Sequence, residues 1–395
     1  MGPTKIAEGI YNVGVIDWNI RDFHGYSTWS GTTYNAYLIM DEKITLIDTV
    51  KREFADELLN NISQIVDPKK IDYVISNHTE MDHSGGLPRV MHKIGEEKPV
   101  YCSKMGNKNL ADHFRQGLNY QPVENGGELK IGKRTLTFLE TRMLHWPDSM
   151  FTYVNGDKIL FSSDAFGQHY AGYENFDDEI DDPDIMHHAR KYFANILLLY
   201  SPLIVKLVEK VTEMGLQIEM ICPDHGIIWR KDPSKIINAY VEWSKQVPKR
   251  KAIVIYDTMW RSTETMAKAI ADTLALEGVD AKPMHLRRCH KSDIITEVLD
   301  TAAVIIGSPT LNNHIFPSIG SFLTYMEGLK PAKKIAAAFG SYGWSGEAVK
   351  TINSHFETMG FDIVDPGLRV KYVPDKTGIE ACQEFAKKIA HAIPA

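Results

Sequence analysis

The sequence predicts two α/β domains in tandem, the second a doubly wound parallel sheet. Three observations carry this. First, 395 residues exceed what one hydrophobic core usually organises. Second, the last third repeats a strand, loop and helix unit. Ala252-Ile-Val-Ile-Tyr256 reads as a buried strand and is followed by a polar loop from Asp257 to Thr263. A helix then spans Glu264 to Gly278, with apolar residues three and four apart and a glycine as its stop signal. Ala302-Ala-Val-Ile-Ile-Gly-Ser308 and Lys334-Ile-Ala-Ala-Ala-Phe-Gly-Ser341 are two further strands, with helical patterns between them. Third, the residues before them mix strands and helices without strict alternation, and Val247-Pro-Lys-Arg-Lys251 is a short charged link. The expected boundaries are therefore 1–248 and 249–395.

Within the first domain, short apolar segments end in metal-ligating residue types. Ile71-Asp-Tyr-Val-Ile-Ser76 reads as a strand and leads into His78-Thr-Glu80-Met-Asp82-His83. Side chains alternate along an extended segment, so positions 78, 80 and 82 are expected to point into one pocket, with His83 turning over the top. Leu136-Thr-Phe-Leu-Glu140 leads to His145 through Thr141-Arg-Met-Leu-His145-Trp-Pro-Asp148. Lys158-Ile-Leu-Phe-Ser-Ser163 precedes Asp164, and Ile218-Glu-Met-Ile-Cys-Pro223 precedes Asp224-His225-Gly226. A lone histidine at a strand end is ordinary; four such ends in about 150 residues point to a metal centre. Mixed imidazole and carboxylate donors with open positions suit non-haem iron better than structural zinc.

The ligand segments resemble the His-x-His-x-Asp-His motif of the metallo-β-lactamase superfamily, with Glu80 replacing the second histidine. Together with Asp17-Trp-Asn-Ile-Arg-Asp-Phe-His24-Gly25, Gly31-Thr-Thr-Tyr-Asn-Ala-Tyr37 and the flavodoxin-like last third, they make nearly the whole chain resemble the flavodiiron proteins, close to the rubredoxin:oxygen oxidoreductase type. The resemblance implies an N-terminal αββα sandwich of the metallo-β-lactamase kind and a C-terminal flavodoxin-like domain. It implies that His78, Glu80 and His145 bind one iron, that Asp82 and His225 bind a second, and that Asp164 bridges them. His83 ligates in some relatives and is displaced in others, so its role stays open here. Three carboxylates and a bridging hydroxide would balance two ferrous ions, and a near-neutral cluster is less costly to bury. In two-metal sites the ions sit roughly 3.5–4 Å apart. His24 is expected near bound substrate, and Trp146-Pro147 is expected to fix the His145 loop and exclude water.

In an open parallel sheet, ligands bind beyond the carboxyl ends of the strands. Asp257-Thr-Met-Trp-Arg-Ser-Thr263 precedes a helix N-terminus, where backbone N–H groups favour a phosphate. The resemblance implies FMN, with Thr258, Ser262 and Thr263 near its phosphate and Met259, Trp260 and Arg261 in the same loop. The common flavodoxin loop has a glycine where this chain has Trp260 and Arg261. Pro309, Thr310, Leu311, Asn312 and Asn313, with Ser341, Tyr342, Gly343, Trp344, Ser345 and Gly346, are expected to flank the ring. No GxGxxG dinucleotide fingerprint is present in the sequence.

Composition limits the remaining classes. A formal charge of −7 argues against a nucleic-acid partner. No apolar run reads as a membrane span and the N-terminus lacks a secretory core, so a cytoplasmic location is expected. Cys102, Cys222, Cys289 and Cys382 form no CxxC pair, which excludes a built-in rubredoxin centre and makes a separate donor necessary. Glu174-Asn-Phe-Asp-Asp-Glu-Ile-Asp-Asp-Pro-Asp184 reads as a solvated acidic loop. His187 and His188 are adjacent helix positions and do not share a face.

The expected reaction is reduction of dioxygen to water, of nitric oxide to nitrous oxide, or both. Dioxygen takes four electrons, two from a ferrous pair and two from reduced FMN, whereas coupling two nitric oxide molecules takes two; the cofactors carry the redox chemistry. The resemblance also implies a head-to-tail homodimer, or a dimer of dimers, with Glu80 and Trp344 between flavin and iron, and a rubredoxin as donor. Lys282, Arg287, Arg288 and Lys291 offer a basic stretch for an acidic partner. The competing readings are a di-zinc hydrolase with an appended flavodoxin, and a non-enzymatic flavin carrier or gas sensor.

Overall fold

The structure is a computed structural model that describes residues 2–115, 117–180 and 185–394. It divides into two compact units. The first contains Met1–His24, Thr28–Phe193 and Tyr200–Val241; the second contains Gly25–Ser27, Ala194–Leu199 and Glu242–Ala395.

The first unit is built on two sheets. The seven-stranded sheet runs in the order Thr4–Ala7, Ile10–Asn12, Tyr37–Ile39, Thr45–Ile47, Tyr73–Ser76, Pro99–Ser103 and Asn119–Val123. The five-stranded sheet runs Glu128–Lys130, Thr135–Glu140, Met150–Val154, Ile159–Phe161 and Met220–Cys222. Their inner faces meet in a core of Ile10, Tyr37, Ile39, Ile47 and Ile75 against Leu136, Phe138, Met150, Phe161 and Ile228. The helices Ala55–Ser63, Leu87–Ile94 and Lys104–Phe114 cover the other face of the larger sheet, through Leu58, Ile62, Val90, Met91 and Leu110. Both faces of the central strands are therefore covered, which is why Tyr37–Ile39 and Thr45–Ile47 are buried at every position instead of alternating. This is the αββα sandwich of the metallo-β-lactamase kind.

The second unit carries a parallel sheet in the order Asp280–His285, Lys249–Tyr256, Thr301–Gly307, Ile335–Tyr342 and Asp362–Ile363, with Leu368–Lys371 also pairing Ile335–Tyr342. The first strand of this unit lies between the second and the third, the flavodoxin-type order. Gly307 is obligatory at its strand end: a Cβ there would meet Phe339 Cζ at 2.1 Å. The charged link is shorter than the sequence suggested, because Lys249 already begins a strand.

The helical run Ile185–Glu213, 29 residues, is long and apolar enough to cross a membrane by length and composition alone. Arg190, Lys191 and Lys206 interrupt its apolar residues, so it does not read as one run in sequence. In the structure it is four pieces: α-helices Ile185–Tyr192 and Ser201–Glu213, with a π turn Phe193–Leu197 and a 3-10 turn Leu198–Tyr200 between them. Of the acidic stretch, Glu174–Ile180 is described, whereas positions 181–184 lie outside the described residues.

The strand ends tolerate little added volume. Gly307→Ala should lower stability by about 1–3 kcal/mol in thermal unfolding, whereas Gly328→Ala, where a Cβ meets nothing within 4 Å, should not.

Candidate metal centre and flavin cleft

The residues expected to bind metal come from loops at the ends of four strands. His78 follows the strand Tyr73–Ser76, and the next turn is helical, Met81–Ser84, with Glu80 as its N-cap. The expected strand-like alternation therefore fails after His78: Asp82 and His83 are successive positions of a helical turn, and both still face inward. His145 lies in the loop between Thr135–Glu140 and Met150–Val154. Asp164 follows Ile159–Phe161, and His225 follows Met220–Cys222.

The loops bring seven side chains together in two groups, His78, Glu80, His145 and Asp164, and Asp82, His83 and His225, each with its candidate ligand atoms within 4.8 Å of one another. Asp164 joins them. Its Oδ2 lies 3.3 Å from His78 Nε2 and 3.2 Å from His145 Nε2, while its Oδ1 lies 3.2 Å from His83 Nε2 and 3.4 Å from His225 Nε2. Glu80 Oε2 completes the first group at 3.1 Å from His145 Nε2 and 3.4 Å from His78 Nε2. Asp82 Oδ2 completes the second at 3.1 Å from His225 Nε2 and 3.3 Å from His83 Nε2.

Outer partners fix these rings. Asp148 Oδ2 sits 3.0 Å from His78 Nδ1 and also accepts from the Thr79 N–H, while Asn109 donates to its other oxygen. The Thr33 carbonyl lies 2.7 Å from His225 Nδ1. These contacts engage Nδ1 on the outer side and leave Nε2 facing the carboxylates, the orientation in which it could serve as a metal ligand. The Tyr192 hydroxyl donates to Asp164 Oδ1 at 2.7 Å. The Trp146 ring packs edge-on against His78 with centroids 5.1 Å apart. Behind His83, Asp224 Oδ2 lies 3.6 Å from Nδ1. Asp48 accepts from both the backbone and side-chain N–H groups of Asn77, each at 2.8 Å.

Burial and charge oppose each other throughout. Burial disfavours the Asp164 and Glu80 carboxylates, but the facing imidazoles overcome it and hold both groups well below the usual carboxylate range. Burial likewise opposes protonation of His78 and His83, but the surrounding carboxylates lift both well above the ordinary imidazole range, and His145 is raised to about 8. Asp48 is pushed up to about 6 by burial, and Asp224 rises further through burial and its neighbour Asp48.

His24 has a left-handed backbone, φ 54°, an exposed ring, and Nε2 3.5 Å from Glu80 Oε1. With Lys51, Arg52, Glu80 and Asp82 it lines a cleft of about 340 Å³ that opens onto the metal-ligating residues. Tyr192 and Asp48 were missed in the sequence. Asp48 ends the strand-like Ile44-Thr-Leu-Ile and was accessible to the same strand-end rule, whereas Tyr192 sits on a helix with no local signal.

In the second unit, a cleft of about 410 Å³ lies beyond the strand ends. Met259, Trp260, Ser262, Pro309, Thr310, Leu311, Asn312, Ser341, Tyr342, Gly343 and Trp344 line it, as does Tyr372, which sequence reading missed. Thr258, Arg261, Thr263, Asn313, Ser345 and Gly346 are not among its lining residues. Thr263 Oγ1 is 2.9 Å from Ser341 Oγ, and Arg261 adopts φ 70° at the N-cap of the helix Ser262–Leu276. The basic stretch is largely engaged within the unit: Lys282 pairs with Glu297 at 2.8 Å, Arg287 pairs with Asp257 at 2.8 Å, and Lys291 lies over the Tyr325 ring.

Comparison with known proteins decides the family. The model of the ODP family beta lactamase matches residues 32–226, and that of flavodoxin matches residues 254–385. The chain is 46% identical to a nitric oxide reductase of Moorella thermoacetica, covering 99% of each, and 45% identical to the rubredoxin-oxygen oxidoreductase of Megalodesulfovibrio gigas, covering 100% of this chain and 99% of that one. Among solved structures, the flavodiiron protein of Giardia intestinalis is 37% identical with a TM-score of 0.94, covering 99% of this chain and 97% of that one. The chain belongs to the flavodiiron proteins. This flavodiiron protein is an oxidoreductase whose cofactors are a di-iron centre and FMN, and the hydrolase reading is not favoured.

The residues present fit both groups. Asp82 Oδ1 is buried without a hydrogen-bond partner, and Asp164 Oδ2 meets only the inward nitrogens of His78 and His145, an arrangement that a cation would complete. The Thr258 hydroxyl, beside a helix N-terminus, is likewise buried and unpartnered, as a phosphate-binding donor requires.

Two outcomes follow. Asp148→Asn should weaken iron retention about 10–100-fold, measured by dialysis against a graded chelator. Adding ferrous iron to metal-stripped protein at pH 7 should release protons from the imidazoles with raised pKa, and in a pH-stat the release should shrink as pH rises through about 8, where His145 is already neutral.

Proposed function

We propose that this flavodiiron protein reduces dioxygen to water, nitric oxide to nitrous oxide, or both, with electrons passed through FMN from a rubredoxin-type donor. The observation that carries the reading is Asp164, whose two oxygens face two separate groups of histidine and carboxylate donors. Its nearest support is the naming of two relatives, one a nitric oxide reductase and one a rubredoxin-oxygen oxidoreductase. We assign residues 1–248 to the di-iron domain and 249–395 to the FMN domain. His78, Glu80 and His145 would hold one iron, Asp82, His83 and His225 the other, and Asp164 both. His83 is included because its Nε2 lies as close to Asp164 Oδ1 as the other imidazoles do to their carboxylate oxygens.

When bound, the iron pair and the flavin supply the electron transfer to the gas. The chain's own groups do the rest. Asp148 and Thr33 hold the protons on His78 Nδ1 and His225 Nδ1, which keeps Nε2 available as a ligand. Tyr192 fixes the Asp164 carboxylate by donating to it. Trp146 walls His78 from water. His24, exposed in the cleft and 3.5 Å from Glu80, is placed to pass protons toward the centre, which either gas reduction consumes. Trp344, 85% exposed at the flavin cleft, offers an aromatic face to the ring or to its electron path.

The proposed assembly is a head-to-tail homodimer, or a dimer of dimers, in the cytoplasm, with neither nucleic acid nor membrane as partner. With Lys282 and Arg287 engaged in close ion pairs, the charge offered to an acidic donor is Arg288 together with Arg261 beside Trp260, an exposed side chain whose pairing with Glu264 is long, 3.7 Å. Anaerobic turnover of the FMN- and iron-loaded chain with chemically reduced rubredoxin tests the reading. Consumption of either gas at turnover rates, with two irons per chain, is expected; consumption of neither, or a chain that takes up only zinc when grown with ample iron, contradicts it. Arg261→Glu with Arg288→Glu should slow reduction by rubredoxin severalfold and flatten its salt dependence, and an unchanged rate would remove the docking assignment.

A further inference from the structure

Two short segments belong to the second compact unit although the chain on either side of them belongs to the first: Gly25–Ser27 and Ala194–Leu199. Both are held by one residue. Ser292, fully buried in the first turn of the helix Lys291–Val298, accepts from the Ser27 N–H through Oγ at 3.2 Å, and its Oγ is 3.0 Å from Ser27 Oγ. The Ser292 carbonyl accepts from Asn195 Nδ2 at 3.0 Å, and Tyr325 fixes the other end of that amide by donating to Asn195 Oδ1 at 2.8 Å. Gly25 lies against the end of the Lys291 side chain and has φ +84°, a backbone conformation that other residues rarely adopt.

Each segment is covalently continuous with a side chain that reaches the carboxylates of the metal centre. His24, immediately before Gly25, has Nε2 3.5 Å from Glu80 Oε1. Tyr192, two residues before Ala194, donates to Asp164 Oδ1 at 2.7 Å. Between Tyr192 and Asn195 the helix passes into a π turn, Phe193–Leu197. Such turns insert an extra residue and rotate the side chains that precede them relative to those that follow. The orientation of Tyr192 thus depends on where the chain is fastened three residues later.

We infer that Ser292, a residue of the flavodoxin-like unit, is a positioning residue for the metal centre, because it pins the two chain segments from which His24 and Tyr192 extend. The inference rests on the assignment of Glu80 and Asp164 as iron ligands. It implies that a change in the first turn of this helix is felt at the iron pair through two backbone tethers, without Ser292 touching substrate or cofactor.

The test uses the full chain loaded with iron and FMN. Ser292→Ala keeps the carbonyl that holds Asn195 and removes both contacts to Ser27; Asn195→Ala releases the other tether; Tyr192→Phe is the reference. The electron paramagnetic resonance spectrum of the half-reduced iron pair is read first, without turnover. Asn195→Ala is expected to shift it in the same direction as Tyr192→Phe, and Ser292→Ala is expected to lower kcat for gas consumption about tenfold while dithionite reduces the flavin at the unaltered rate. A spectrum and kcat unchanged in both variants overturn the inference. Should Ser292→Ala fail to fold, Asn195→Ala decides by its spectrum alone. If the unaltered chain consumes neither gas, the proposed reaction fails, yet the spectra still decide whether the tethers position the centre.

Discussion

The arrangement depends on burying Asp164. A carboxylate with 2% exposure would be driven to its neutral form by desolvation, and the effective cost of leaving such an ion unpaired is several kcal/mol. Four imidazoles, those of His78, His83, His145 and His225, surround it at 3.2–3.4 Å and reverse that preference. The same opposition accounts for the raised pKa values of His78 and His83, which gain from the carboxylates more than burial takes away. Such a cluster is strained electrostatically unless cations complete it, and its geometry already divides the donors into two sets of the size a metal pair needs.

Holding that cluster requires a rigid frame, and the two sheets supply it. Asn77 follows the strand Tyr73–Ser76 in the seven-stranded sheet, takes Asp48 as its acceptor, and reaches the smaller sheet twice, through the Met150 N–H to its carbonyl at 3.0 Å and through the Thr152 hydroxyl to its side chain at 2.7 Å. The loop that carries His78, Glu80, Asp82 and His83 is thereby tied to the strand that follows His145. A shift between the sheets would move ligands of both groups together, so the spacing between donors is set by packing of the core as well as by loop sequence.

Much of this was legible. The parallel sheet of the last third followed from alternating apolar strands and periodic helices, and each ligand-bearing loop followed from an apolar segment ending in a histidine or an acid. The failures have identifiable causes. Alternation along an extended segment predicted the directions of residues 80 and 82, but a helical turn begins at Met81 and delivers Asp82 and His83 by a different geometry. Tyr192 was invisible because a phenol on an amphipathic helix reads as core packing, and only the fold reveals that its hydroxyl meets Asp164. Charge counted along the sequence overestimated the basic surface, because Lys282 and Arg287 are neutralised by Glu297 and Asp257, residues distant in the chain. The discontinuous segments Gly25–Ser27 and Ala194–Leu199 carry no compositional mark at all; their membership is a property of tertiary hydrogen bonding.

Glu80 concentrates the difference between this centre and an all-imidazole one. It caps the turn Met81–Ser84, keeps partial exposure at the cleft, and stands between His145 and His78 on one side and His24 on the other. Its negative charge offsets part of the cation charge that the first group would otherwise leave on His78 and His145, which a neutral imidazole could not do. It also offers a second oxygen, Oε1, turned toward the exposed His24 and so toward the solvent-facing end of the cleft. A single carboxylate thus has one oxygen facing the nitrogens of His78 and His145 and the other facing His24 in the cleft. That division of labour depends on the side chain being held, and the caged position of Glu80, with its carboxyl kept well below the ordinary range by His145 and His78 against the pull of burial, is what holds it ionised across the pH range in which the surrounding histidines change charge.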